Sequence, residues 1–324
     1  MTAVDPRAAA TTSYPAPLPT DPAPREASGP SVRDVIKAYV GLTKPRIIEL
    51  LLITTVPVMF LAAGGVPGLG VVAATLVGGI LASGSANTIN CVLDRDIDEQ
   101  MRRTRRRPLP RHAVSPRSAT VFGVVLGVLA TIELGLFVNW LSSGLALAAN
   151  LFYVFGYTMV LKRRTVQNIV WGGIAGCFPT LIGWTAVTGE LAWTPIVLFL
   201  VVFFWTPPHT WSLAMRYRED YASVDVPMLP VVATPVATAR QIFAYSVVMV
   251  ITSVALWPVG GTGFVYPLAA VVLGVVFLRE AWALLARAHT GADGAALRPM
   301  RLFHFSNIYL ALLFIAAAID PLLH

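Results

Sequence analysis

A 324-residue chain that is 56% hydrophobic, 13% charged and of mean hydropathy +0.69 is too apolar for a soluble domain, where about 25% of residues are charged. Its net charge is +7, but the 24 Lys and Arg gather in short segments between long apolar runs. No segment interleaves basic and aromatic residues along a polar face, so no nucleic-acid partner is expected. The composition indicates one bundle whose apolar exterior meets the lipid bilayer.

Residues 1–30 are rich in Pro, Ala, Ser and Thr without apolar periodicity, and are read as a disordered tail. No apolar stretch follows a basic start, and Asp5, Asp21 and Glu26 do not suit a transit peptide. The folded domain is expected over 31–324. Ser31 followed by Asp34 reads as a capping box. After it, Val32, Val35, Ile36, Tyr39 and Val40 recur at helical spacing between Arg33 and Lys37, the pattern of an amphipathic helix on a membrane surface.

A spanning helix needs about 20 apolar residues. Nine runs qualify: 46–64, 70–92, 118–138, 143–161, 167–187, 194–214, 239–258, 264–284 and 303–320. The expectation is therefore an all-α polytopic membrane protein of nine transmembrane helices. The basic residues sort by side. They fall in the N-terminal tail and the even-numbered connections, near 93–117, 162–166, 215–240 and 279–302, or at the bordering helix ends. The odd-numbered connections, near 65–69, 139–142, 188–193 and 259–263, have none. This places the N-terminus inside and the C-terminus outside. Cys91 and Cys177 form no CxxC and read as small packing residues. Arg46 and Glu49 are expected to pair near the interface.

Two inside connections are dense with ionisable groups. In the first, Asn90, Asp94 and Asp98 are spaced four apart, which on a helix puts them on one face. Carboxylates one turn apart repel unless a cation lies between them, and a hard ion such as Mg²⁺ takes oxygen ligands shared with substrate phosphates. Arg102, Arg103, Arg105, Arg106 and Arg107 follow, a cluster suited to phosphate. The other reading of these groups is a solvated loop whose arginines fix topology or touch anionic lipid. The second dense segment starts inside the sixth run with Trp205-Thr-Pro207-Pro208-His209-Thr-Trp211 and continues through Asp220-Tyr221 to Asp225 and Pro230. Two prolines there are expected to break or distort the helix, a break being tolerated where it lines a cavity, and His209 beside them is a functional candidate, or else a histidine bonded between helices. Between the fourth and fifth runs, Lys162 and Arg163 suit a phosphate or plain topology anchoring, while Asn168 suits a helix cap or the cavity wall.

These stretches, with Leu42-Thr-Lys-Pro-Arg46, resemble the UbiA superfamily of intramembrane prenyltransferases over about residues 33–320. The Thr-Pro-Pro-His and Asp-Tyr…Pro-Met-Leu-Pro pieces are similar to its haem-modifying branch. The resemblance implies a bundle around a central cavity open to the cytoplasmic side, in a bacterial cytoplasmic membrane. It implies Mg²⁺ held by Asn90, Asp94, Asp98 and Asp220, and a diphosphate held by Arg103, Arg107, Lys162 and Arg163. His209, Tyr157 and Trp211 would face the acceptor. The implied substrates are farnesyl diphosphate and haem b, with a downstream haem A synthase as an expected partner. Asp225 stands one residue too far from Asp220 for the superfamily's usual Asp-x3-Asp.

Two other classes fit less well. A related enzyme prenylating an aromatic acid or quinone precursor would share the metal chemistry. A transporter would spread its acids through the bilayer depth, whereas these gather at one face.

Overall fold

The computed structural model describes residues 31–323, the side chains at 46, 47, 49, 50 and 51 excepted. The N-terminal tail and the expected Arg46–Glu49 pair lie outside the described residues.

Helix α1 (Val32–Thr43) starts at Ser31, whose hydroxyl caps it by accepting from the Asp34 amide, while the Asp34 carboxylate accepts from that hydroxyl in place of the backbone N–H of a full capping box. One face buries Ala38 and Leu42 against the bundle, while Val32, Ile36 and Val40 form an exposed apolar stripe. Lys44 then takes a left-handed conformation, φ 54°, and turns the chain into α2 (Pro45–Ala63). A lysine pays for this conformation, and a following proline narrows its choices further.

The remaining long helices are α3 (Leu69–Leu93), α5 (Pro116–Phe137), α6 (Trp140–Leu161), α7 (Asn168–Thr188), α8 (Trp193–Arg216), α11 (Pro235–Gly260), α12 (Val265–His289) and α13 (Pro299–Ile319). Between them lie the short helices α4 (Arg95–Gln100), α9 (Arg218–Ala222) and α10 (Leu229–Val232). Among the described residues, eight helices are long and apolar enough to cross a membrane, and α2 adds the apolar stretch Leu52–Ala63. All nine expected runs are thus helical. The connections at 64–68, 138–139, 189–192 and 261–264 carry no Lys or Arg, and the connections at the opposite end carry the basic residues.

Helices α3, α5 and α6 pack in sequence, as do α8, α11, α12 and α13, and α2 lies against α7 and α13 between the two groups. Lipid offers no hydrophobic drive for helix association, so close backbone approach carries this packing. Gly123 of α5 shows it: a Cβ there would stand 2.8 Å from Ile89 of α3. The outward faces are apolar instead, with Val121, Val125, Val128 and Ile132 of α5 and Val271, Val272 and Val275 of α12 all exposed.

Helix α8 corrects one expectation. It carries Pro207 and Pro208 without a break. Two adjacent prolines remove only two consecutive N–H donors. Buried neighbours hold the helix on both sides: Trp205 Nε1 donates to the Ser306 carbonyl of α13 at 2.8 Å, and Ser212 Oγ donates to the Pro208 carbonyl at 2.6 Å.

Candidate active site

The end of α3 delivers the first acidic motif. Helical bonding runs on past its last residue: the Asp94 amide donates to the Asn90 carbonyl and the Asp98 amide to the Asp94 carbonyl, each at 2.9 Å. Asn90, Asp94 and Asp98 therefore share one face, as the spacing predicts, and all three are buried, at 3%, 1% and 2% exposure.

Two buried carboxylates so close need counter-charge, and basic residues from distant segments supply it. Lys162 Nζ donates to Asp94 Oδ2 at 2.5 Å, and Arg163 Nη2 stands 3.6 Å from Asp94 Oδ1. Arg163 also grips Asp96 through two hydrogen bonds, 2.6 and 2.7 Å, which hold that carboxyl below its ordinary range. Arg107 Nη1 donates to both oxygens of Asp98, at 2.9 and 2.7 Å. Lys44 Nζ donates to Asn90 Oδ1 at 2.6 Å, while the Asn90 amide donates to Asp94 Oδ2 and to Thr158 Oγ1. Burial lowers the Lys44 ammonium from its ordinary 10.5 to about 8.

The second half of α6, Phe152–Leu161, is π-helical, and such turns concentrate at functional sites. Its wider turn, seen in the backbone bond from the Lys162 amide to the Tyr157 carbonyl and followed by the side-chain bond from Thr158 Oγ1 to the Tyr153 carbonyl, brings Tyr153, Tyr157, Thr158 and Lys162 toward one side. Tyr153 and Tyr157 pack at 5.5 Å between ring centroids. Tyr157 lies directly over Gly172 of α7, where any Cβ would overlap its ring. Asn168, at the start of α7, donates to the Lys162 carbonyl at 3.1 Å and so anchors that turn.

Asp220 comes from α9 and is 6% exposed. Arg102 Nε donates to it at 3.0 Å and the Arg103 amide at 3.2 Å, so the arginine loop bridges the two acidic motifs. The Arg103 guanidinium lies over the rings of Tyr217 and Tyr221, at 5.8 and 5.9 Å. Asp225 is exposed and left-handed, φ 53°, apart from this network.

The other candidates are placed elsewhere. Trp211 is 1% exposed within the packed core, edge-on to Tyr245. His209 lies on α8 between the rings of Trp205 and Phe303, with Nδ1 2.7 Å from Ser306 Oγ. Neither touches the carboxylates through a hydrogen bond.

The donor set of the first motif is all oxygen, which fits a hard divalent ion. Asp94 Oδ1 is buried without a hydrogen-bond partner, a lone pair free for such a ligand. Among the described residues, no three acidic, histidine or cysteine side chains already converge as a metal cage. The carboxylates are instead neutralised one by one, by Lys162, Arg107 and Arg102.

Two cavities adjoin this network. An apolar one runs into the bundle between α2, α3, α6 and α7, from Asn87 and Tyr153 beside the motif to Thr75 and Leu134. A polar cleft opens beside Asp220, lined by Arg102, Arg103, Arg216, Tyr217 and Arg218.

Sequence reasoning left four contributors unassigned. Lys44 had only its place in the Thr-Lys-Pro-Arg stretch as a signal. Arg102 was one arginine among five, and its partner lies 118 residues away. Thr158 and Tyr153 reach the site through a π-helical turn that no residue pattern announces.

The UbiA prenyltransferase family model matches residues 51–308. The chain belongs to the UbiA prenyltransferase family. It is 67% identical to a protoheme IX farnesyltransferase of Nocardioides sp., over 90% of this chain and 93% of that one. It is 63% identical to a protoheme IX farnesyltransferase of Cutibacterium acnes, over 91% and 87%. Among solved structures, a digeranylgeranylglyceryl phosphate synthase superposes with TM-score 0.73 at 17% identity, over 89% of this chain and 99% of that one. A UbiA homologue from Archaeoglobus fulgidus bound to GPP and Mg²⁺ superposes with TM-score 0.62 at 16% identity, over 86% and 99%. At such identities the structural likeness is one of fold.

Proposed function

We propose that this protein transfers the farnesyl group of farnesyl diphosphate to a vinyl group of haem b, with addition of water, giving haem O for terminal oxidase assembly. The observation that carries the reaction class is the buried Asn90–Asp94–Asp98 row, each acid held by a cation from the loops that follow α3 and α6. The acceptor rests on the relatives at 67% and 63% identity, both protoheme IX farnesyltransferases.

The chemistry follows from the residues. The allylic C–O bond to diphosphate breaks, and the electron pair leaves with the diphosphate. Asn90, Asp94, Asp98 and Asp220 would hold a Mg²⁺ ion, which would supply Lewis-acid neutralisation of that leaving group. Lys162, Arg163, Arg107 and Arg103 then exchange their carboxylate and aromatic partners for phosphate oxygens, for which guanidinium forks are well shaped. The allylic cation forms beside Tyr153 and Tyr157, whose ring faces stabilise positive charge. The terminal vinyl carbon of haem attacks it. Water captures the remaining carbocation on the side chain and releases a proton. The apolar cavity from Asn87 to Leu134 suits the farnesyl tail.

The charge asymmetry of the connections supports an N-terminus inside, a C-terminus outside and a site at the cytoplasmic face. A haem A synthase is the downstream partner that consumes the product. The test is acceptor competition. Purified protein is given farnesyl diphosphate with haem b or with 4-hydroxybenzoate. Turnover of haem alone is expected; turnover of the aromatic acid alone would move the reading to a quinone-pathway enzyme.

A further inference from the structure

The apolar cavity between α2, α3, α6 and α7 has a definite depth. Along α3 its wall is a single stripe at helical spacing: Thr75, Gly79, Ala82, Ser83, Ala86 and Asn87. Most of these side chains are small, as are Ala146 and Ala149 of α6 and Ala175 and Gly176 of α7, which line it from other sides. Small walls leave room for a chain from Asn87, about one turn before the acidic row, toward the outer end of the bundle.

Leu134 ends this pattern. Among the described lining residues it alone comes from α5, and it is fully buried. It reaches the cavity because Gly78 of α3 has no side chain; a Cβ there would overlap Leu134 Cγ and Cδ2. Leu134 is therefore level with Gly78, nine residues from Asn87, or about 14 Å at the helical rise. Ala146 lies near the same level. Asn150, one turn inward of it, donates to the carbonyl of Ala82, one turn inward of Gly78, at 3.1 Å. On α3 the lining ends at Thr75, about 18 Å from Asn87. The Thr75 hydroxyl is buried without a hydrogen-bond partner, a poor surface for more apolar chain.

These lengths discriminate among prenyl chains. With C–C bonds of about 1.5 Å, an extended chain advances about 5 Å per isoprene unit, so three units need about 15 Å and four about 20 Å. Three units that start beside Asn87 and Tyr153 reach Leu134, and a fourth has to displace it. We infer that Leu134 sets the prenyl chain length: it closes the tail cavity after three isoprene units and excludes longer donors. The inference rests on the tail occupying this cavity, as proposed above, and not on the identity of the acceptor.

The experiment measures chain-length preference without the acceptor. The thiolodiphosphate analogues of geranyl, farnesyl and geranylgeranyl diphosphate, whose C–S bond resists cleavage, are titrated with Mg²⁺ into the full-length protein in detergent by calorimetry. Haem b and the three diphosphates are then supplied together, and the product mass is read. The unmodified protein is expected to bind the farnesyl analogue at least about tenfold more tightly than the geranylgeranyl one, the scale of an overpacked site. Leu134→Ala should shrink this preference to within a few-fold and yield a product one isoprene unit heavier. Ala146→Leu, which narrows the same level from another helix, should weaken the farnesyl analogue by about tenfold and leave the geranyl analogue within a few-fold. Equal binding of the two longer analogues by the unmodified protein, an unchanged preference in folded Leu134→Ala, or uniform losses for all three analogues in Ala146→Leu would overturn the assignment. Chain-length selection that survives while haem goes unmodified would remove the acceptor reading and leave this one standing. No binding of any analogue would remove prenyl transfer itself, and this inference with it.

Discussion

Arg107 holds both oxygens of Asp98 through a single nitrogen, at 2.9 and 2.7 Å, nine residues along the same loop. Each partner alone is a liability in a buried place: an unpaired carboxylate or guanidinium there costs several kcal/mol. Together they keep a charged site in the absence of substrate. Arg105, two residues earlier, is exposed and makes no ion pair among the described residues. Arg107→Ala is therefore expected to lower kcat/KM by about a hundredfold or more, the usual cost of one lost transition-state contact, with Arg105→Ala within a few-fold of the unmodified protein. Steady-state kinetics on both variants checks this; equal losses would mean that the loop presents a different arginine.

Asp94→Asn and Asp98→Asn should each abolish turnover while leaving helical content and membrane insertion intact. The substitutions remove charge from positions already paired with Lys162 and Arg107, and preserve shape. Circular dichroism and membrane fractionation read the fold, and product formation reads the site. Appreciable turnover in either variant would contradict the role given to the acidic row.

Lys44 gives a prediction of opposite signs. It occupies Asn90 Oδ1, the oxygen that would ligate the metal ion. Lys44→Met should strengthen binding of Mn²⁺ alone, by removing a competing cation, and weaken binding of inorganic diphosphate. Electron paramagnetic resonance titration measures the first and calorimetry the second. A shift of both in the same direction would mean that Lys44 only shapes the turn between α1 and α2.

The same lysine carries a pH signature. Its folded value of about 8 lies below 10.5, so between these values the unfolded chain holds a proton that the folded chain has released. Where the unfolded state binds more protons, stability rises with pH. The unmodified protein should gain stability relative to Lys44→Met as pH is raised through that window. Thermal midpoints of the pair at about pH 7 and about pH 10 measure the difference, and a constant difference would refute it.

Gly172→Ala tests the seat of Tyr157. Any Cβ at 172 overlaps that ring, so the ring must leave its place over α7. A clear loss of kcat with diphosphate affinity nearly retained is expected, because Lys162 and Arg107 stay in place. Unchanged kcat would show that Tyr157 has no part near the reacting carbon.

Much of this was legible in the sequence because the signals are physical and local. The spans declare themselves by length, and the sidedness of Lys and Arg checks their number. The four-residue spacing of Asn90, Asp94 and Asp98 needs only helix geometry. What could not be read depends on tertiary contact or on irregular backbone. The π-helical turn that aims Thr158 and Tyr153 has no residue code. The pairing of Arg102 with Asp220 joins segments far apart in the chain. The prolines of α8 illustrate the reverse case: a local rule called for a break or distortion, and the bonds of Trp205 and Ser212, on either side of the lost donors, keep the helix continuous.

The most direct measurement is the mass of the haem product. Purified protein is incubated with haem b, farnesyl diphosphate and Mg²⁺, with and without EDTA. The account expects a gain equal to one farnesyl group plus one water, abolished by EDTA. Unmodified haem from intact, haem-binding protein would contradict it.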